Sequence, residues 1–200
     1  MGVISNGTTL IDNGALDPAV PTGSLILLST QTASASANIS FTSGIDSTYD
    51  SYVFKFIDMH PSDDAPSFTF NMSTDAGSNY NVIKTTTAFR ARHDEADTGA
   101  GLGYRPANDL AQSTSFQIIS FGVGNDNDQS TSGTLTLFNP SSTTFVKHFI
   151  STTNNYRNND ETQNFFTAGY GNTTSAVNAI RFQFSFGNID DGIIKLYGVK

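Results

Sequence analysis

The sequence predicts an all-β protein, an antiparallel β-sandwich of jelly-roll type carrying an extended N-terminal arm, and three observations predict it. Thr, Ser and Asn number 25, 23 and 18 among 200 residues, while only 14% are charged. Exposed helix faces are usually dressed in Glu, Lys, Arg and Ala, whereas Thr suits the exposed face of a strand. Apolar residues recur with period two, as in Phe54 and Phe56, in Phe68, Phe70 and Met72, and in Phe182, Phe184 and Phe186, which alternate with Arg181, Gln183 and Ser185. Such alternation marks a buried sheet face, and these Phe ladders are expected to be core. Asx, Gly and Pro clusters punctuate the chain at roughly 8–15 residue intervals, the spacing of a sandwich or barrel.

In chain order, residues 1–23 read as the arm. Val3, Ile4, Leu10, Ile11, Leu16 and Val20 are isolated apolar anchors among Gly, Asn and Thr, and Pro18 and Pro21 each remove a ladder donor. The arm is expected to dock on a neighbouring subunit, with Val3, Ile4, Leu10, Ile11 and Leu16 as its interface. Residues 24–200 then read as a single sandwich domain. Its expected strands are Ser24–Thr32, Ala37–Thr42, Tyr49–Met59, Ser67–Thr74, Tyr80–Arg92, Gly101–Arg105, Ser113–Gly122, Gly133–Phe138, Thr144–Thr153, Ala179–Gly187 and Ile193–Val199. The core is aromatic, with 16 Phe and 7 Tyr and no Trp.

A net charge of −8 opposes a phosphate-backbone partner, because nucleic-acid affinity rests on Lys and Arg. The longest aliphatic run, Leu25–Leu28, falls far short of the ~20 residues of a spanning helix, so no membrane role is expected. No basic, apolar leader is visible at the N-terminus, which implies synthesis in a cytoplasm. Without cysteine there is neither disulfide nor thiolate chemistry.

Motifs for chemistry are weak. His60, His93 and His148 lack metal-ligand spacing, and His93-Asp94-Glu95-Ala96-Asp97 reads as a solvated loop. Asn125-Asp126-Asn127-Asp128 offers hard oxygen ligands but lacks the Gly and terminal Glu of a calcium loop. Gly99–Gly103 lacks the Lys-Ser or Lys-Thr of a phosphate cradle, and no G-x-S-x-G elbow occurs. No enzymatic activity and no cofactor are expected.

Two stretches, Tyr49–Tyr80 (YDSYVFKFIDMHPSDDAPSFTFNMSTDAGSNY) and Ile180–Lys200 (IRFQFSFGNIDDGIIKLYGVK), resemble a β-sandwich module of tailed-bacteriophage virion proteins. The matching positions are Tyr49, Asp50, Tyr52, Pro61, Ser73 to Ser78, Gly187 to Ile189, Gly192 and Leu196 to Gly198; residues 137–149 fit the same pattern. The resemblance implies a non-enzymatic particle component, a capsid decoration or cement protein in contact with the major capsid protein, and a homo-oligomer, most simply a trimer. The alternative it leaves open is a short tail-fibre or neck appendage that binds a host receptor or glycan. For that alternative, Tyr80, Tyr104, Tyr156 and Tyr170 are candidate stacking platforms, with Tyr156, Arg157 and Asn158 as the expected glycan contacts.

Overall fold

The computed structural model describes residues 3–5, 7–12, 15–16 and 24–199. Among them every regular element is a strand. The first three, β1 (Val3–Ser5), β2 (Thr8–Asp12) and β3 (Ala15–Leu16), form an antiparallel meander with no ladder to the other sheets. The segment expected to run out as an extended arm therefore folds back on itself in its described part, with Gly7 at φ 80° in the first turn. Ile4 is exposed; the side chains of Val3, Leu10, Ile11 and Leu16, and the stretch holding Pro18, Val20 and Pro21, lie outside the described residues.

The sandwich is built from β4 (Leu25–Thr32), β5 (Ile39–Phe41), β6 (Ser51–Pro61), β7 (Phe68–Ser73), β8 (Lys84–Asp94), β9 (Ala100–Tyr104), β10 (Gln117–Ser120), β11 (Thr131–Phe138), β12 (Lys147–Arg157), β13 (Glu161–Gly171), β14 (Ala179–Phe184) and β15 (Ile189–Val199). Eight strands make one sheet in the order β4-β15-β6-β11-β12-β13-β8-β9, and four make the other in the order β10-β7-β14-β5, all antiparallel. All eleven expected strands are present; β13, and the three short strands of the N-terminal meander, were not expected.

The two sheets close over an aromatic core centred on Phe182, whose ring lies 5.1–6.4 Å from those of Phe41, Phe54, Phe56, Phe68 and Phe70. The Phe ladders are thus core with one exception. Phe186 is 53% exposed, because β14 ends at Phe184 and Gly187, at φ 70°, turns the chain toward β15.

The residues that carry the family resemblance fix this architecture. The Tyr49 ring packs edge-on against Tyr52 and leaves no room for a side chain at Gly198, where a Cβ would come within 2.4 Å of it. The Tyr52 hydroxyl reaches six residues upstream, accepting from Asp46 N and donating to Asp46 O, the geometry of a tyrosine corner. Ser73 and Asp75 tie the loop after β7: Asp75 accepts from Ser73 Oγ and Asn79 N, and Ser73 Oγ accepts from Gly77 N. At Gly192 a Cβ would press within 2.9 Å of Asp58 O.

The wing formed by β12, β13, β8 and β9 is covered on its inner side by residues 105–123, which include β10, the end strand of the small sheet. Polar side chains hold this cover. Thr167 donates to Ile118 O, Thr153 to Ile119 O, and Asn155 and Gln163 both donate to Phe121 O. Thr86 donates to Gln117 Oε1, and Gln117 in turn donates to Asn108 O. Burying so many polar groups is tolerable because each is paired.

Candidate functional site

Strand alternation sends every second residue of the eight-stranded sheet away from the core. Cross-strand register assembles these residues into rows. One row runs Leu27, Tyr197, Val53, Thr136, Ile150, Ala168, Thr87; the next runs Thr30, Lys195, Lys55, Thr134, Thr152, Phe166, Phe89, Tyr104. Phe89 and Phe166 stack at 4.6 Å and 11°. Leu27 is 52% exposed, Ile150 54% and Tyr104 53%.

In a chain with 18 acidic residues, these two rows hold none and carry two lysines. Carboxylates stand at the rim of the face, among them Asp58, where β6 bulges, Glu95, and Asp109, which accepts from the Tyr104 hydroxyl. Thr supplies most of the polarity.

Within this face lies a depression of about 490 Å³ lined by Phe138, His148, Ile150, Ala168, Tyr170, Thr85 and Thr87. His148 meets Tyr170 edge-on at 6.1 Å. Gly169 lets β13 approach β8 closely under its floor, since a Cβ there would fall 2.5 Å from Thr85 O. An apolar, aromatic-edged surface free of carboxylates can exclude water against another protein surface.

A second, more polar hollow of about 390 Å³ lies at the rim, between His93, Asp94, Glu95, Asn154, Tyr156 and Thr162. The Tyr156 hydroxyl is pushed up to about 12 by its hydrogen bond to Glu95, reinforced by burial and by Asp160.

The expected glycan contacts do not come together. Tyr156 faces this hollow, but Arg157, the next residue on the strand, points to the opposite side. There it donates to Glu161 Oε1 at 3.0 Å and covers the Phe121 ring. Asn158, in the turn, donates to Asp64.

Glu161 is fully buried and draws in three arginines, with Arg92 at 2.6 Å, Arg157 at 3.0 Å and Arg90 at 3.6 Å. Burial alone would raise its carboxyl, but the hydrogen bonds from Arg92 and Arg157 outweigh it and hold the group below the usual carboxylate range. Of the other tyrosines, Tyr80 has its face taken by the Arg181 guanidinium, 4.1 Å above the ring. Tyr104 and Tyr170 belong to the outer face.

Asn125–Asp128 forms a tight turn closed by Gln129 N on Asp126 O, and His93 pairs with Asp97 in the exposed β8–β9 turn. Among the described residues, no three His, Asp or Glu side chains converge as a metal site. No described helix is long and apolar enough to cross a membrane.

Sequence reasoning missed the outer face, because its aromatic row joins residues 89, 104 and 166, far apart in the chain. No family model matches this chain, and neither a curated protein nor a solved structure does.

Proposed function

We propose that the protein is a non-enzymatic structural component of a tailed-bacteriophage particle, a capsid decoration protein that binds through the outer face of its eight-stranded sheet. The observation that carries this reading is the face itself: wide, apolar and free of carboxylates in its central rows, on a chain whose net charge is −8. A surface left bare in this way suits lasting contact with another protein.

Two further observations support it. The residues that resemble the phage module serve as register and turn devices, which suits a scaffold. The strands β4-β15-β6-β11 facing β10-β7-β14-β5 also follow the double Greek-key order of a jelly roll, the fold shared by viral capsid and lectin domains. On this reading β8, β9, β12 and β13 are additions to one edge. The N-terminal anchors Val3, Ile4, Leu10, Ile11 and Leu16 then join a neighbouring subunit or the major capsid protein, in a trimer.

The second reading, a tail-fibre or neck appendage that binds a host glycan, is favoured by the rim hollow. There an aromatic ring, Tyr156, stands beside the amide of Asn154 and the hydroxyl of Thr162. Quantitative mass spectrometry of purified particles, with antibody-label electron microscopy, separates the two. Hundreds of copies over the head are expected; a handful at the tail or neck would replace decoration with the appendage reading.

A further inference from the structure

Strand β9, at one end of the large sheet, is an edge without a guard. Its sequence Ala-Gly-Leu-Gly-Tyr holds no charge and no proline, its register with β8 is unbroken, and all five residues are exposed. Natural edges are usually blunted by a lysine, a proline, a bulge or a covering loop.

Arg105 N donates to Ala88 O and Asp94 N to Gly99 O, which fixes the hydrogen-bonded pairs of this ladder as 88 with 105, 90 with 103, 92 with 101 and 94 with 99. The N–H and C=O groups of Ala100, Leu102 and Tyr104 therefore all point off the sheet, six groups in the spacing of a strand template.

The inner side of the same edge is cationic. Gly101 stands directly opposite Arg92 and Gly103 opposite Arg90, and a Cβ at either glycine would meet nothing within 4 Å. The glycines leave an open lane of about 160 Å³ from the edge to Arg90, Arg92 and Arg105. Counting Arg157, four guanidiniums on this inner side share two carboxylates, Glu161 and Asp94, while Asp109 is held on the outer side by the Tyr104 hydroxyl.

We propose that β9 accepts an extended acidic segment of a partner protein as an added strand, with carboxylates on its inner side and apolar residues on its outer side. An added strand lies ~4.8 Å from β9. Its inner side chains then fall in the rows of Arg92 and Arg90, across side-chain-free glycines, and its outer side chains lie beside Leu102 and Tyr104. The acid supplies the missing counter-charge, and the backbone supplies six hydrogen bonds, the mode of β-augmentation. A second copy of this chain fits the hydrogen-bond pattern but not the charge, since its β9 brings glycines and more arginines to the same place.

The test uses the full chain and two fluorescein-labelled ten-residue peptides, one alternating Glu with Val and one alternating Lys with Val, read by anisotropy. The Glu peptide is expected to bind saturably, at least tenfold tighter than the Lys peptide, and to weaken between 50 and 500 mM salt. Leu102→Pro deletes an outward N–H that β8 does not use, so it should cut binding at least tenfold with an unchanged melting temperature. Ala100→Pro deletes another and repeats the test if the first variant melts differently. Absence of saturable binding, equal affinity for the two peptides, or wild-type binding by the proline variants overturns the proposal. So does a concentration-dependent dimer in sedimentation that Leu102→Pro dissolves, which would assign the edge to a second copy.

Discussion

Lys84 gives the sharpest test of the polar interior. It is fully buried at the start of β8, and its ammonium donates to Asn71 Oδ1 at 2.5 Å and Val82 O at 2.8 Å, with no carboxylate among its partners. Burial alone lowers its pKa to about 7 from 10.5. Between those two values the unfolded chain binds more protons than the native one, so stability rises with pH. The cost of burying the charge is complete below pH 7 and gone above pH 10.5. At ~1.4 kcal/mol per pKa unit, the contribution recovered between pH 6 and pH 9.5 is about 3 kcal/mol.

Lys84→Met keeps the length of the side chain and removes the charge. Asn71 Oδ1 keeps the Met72 N–H as donor, so the variant leaves that acceptor partnered. Urea unfolding of both proteins from pH 6 to pH 9.5 should show wild type gaining about 3 kcal/mol on the variant as pH rises. All other titrations cancel in the difference, including those of Lys147 and the tyrosines. Parallel stability curves would refute the assignment of a charge-burial cost to Lys84.

Three further outcomes follow from the same geometry. Gly198→Ala should cost about 1–3 kcal/mol in urea unfolding, and less than half of that in a Tyr49→Ala background, because the clash is with the Tyr49 ring. Glu161→Gln leaves Arg90, Arg92 and Arg157 without their counter-ion and should cost about 3–5 kcal/mol at pH 7. Because the Glu161 carboxyl is held low in the fold, its contribution is present above the unfolded carboxylate pKa and lost as pH falls through the folded one, so the gap between wild type and variant should shrink in acid. Ile150→Glu, at an exposed outer-face position, should shift stability by no more than about 0.5 kcal/mol while abolishing binding to purified particles that lack the protein; undiminished binding would remove the outer face from the docking proposal.

Strands with one apolar face were legible in the sequence, because Phe54, Phe56, Phe68, Phe70, Phe182 and Phe184 carry the period that burial demands. Strand β13 was not. Its inward residues include Glu161, Gln163 and Thr167 and its outward ones Thr162, Asn164 and Phe166, so hydropathy shows no alternation although burial does. Arg157 was misjudged for the same reason. Beside Tyr156 and Asn158 it resembles part of a polar binding loop, whereas the strand hides it beneath the sheet. Arg157 and Glu161 flanking an Asn-Asn-Asp turn were the available signal, since a hairpin there brings them face to face.

That hidden polarity also explains where a binding surface can lie. The aromatic core lies where β5, β14 and β7 face the large sheet, and the end strand of the small sheet, β10, reaches on over β12 and β13. Strands β13, β8 and β9 carry the large sheet past this aromatic core, where β10 and its irregular flanks are what the inner face packs against. The chain lays residues 105–123 beneath the wing and fastens them by Thr153, Asn155, Gln163 and Thr167 to carbonyls that need donors. Directional bonds hold a short strand and its irregular flanks in one place better than apolar contact does, and they leave the aromatic residues of the wing free to face outward. Phe89 and Tyr104 are exposed, and Phe166 half-buried beneath Phe89, because the inner side of their strands is held by hydrogen bonds. The docking face and the polar core are therefore two sides of one design, and a substitution that makes the inner side apolar should loosen the cover before it disturbs the face.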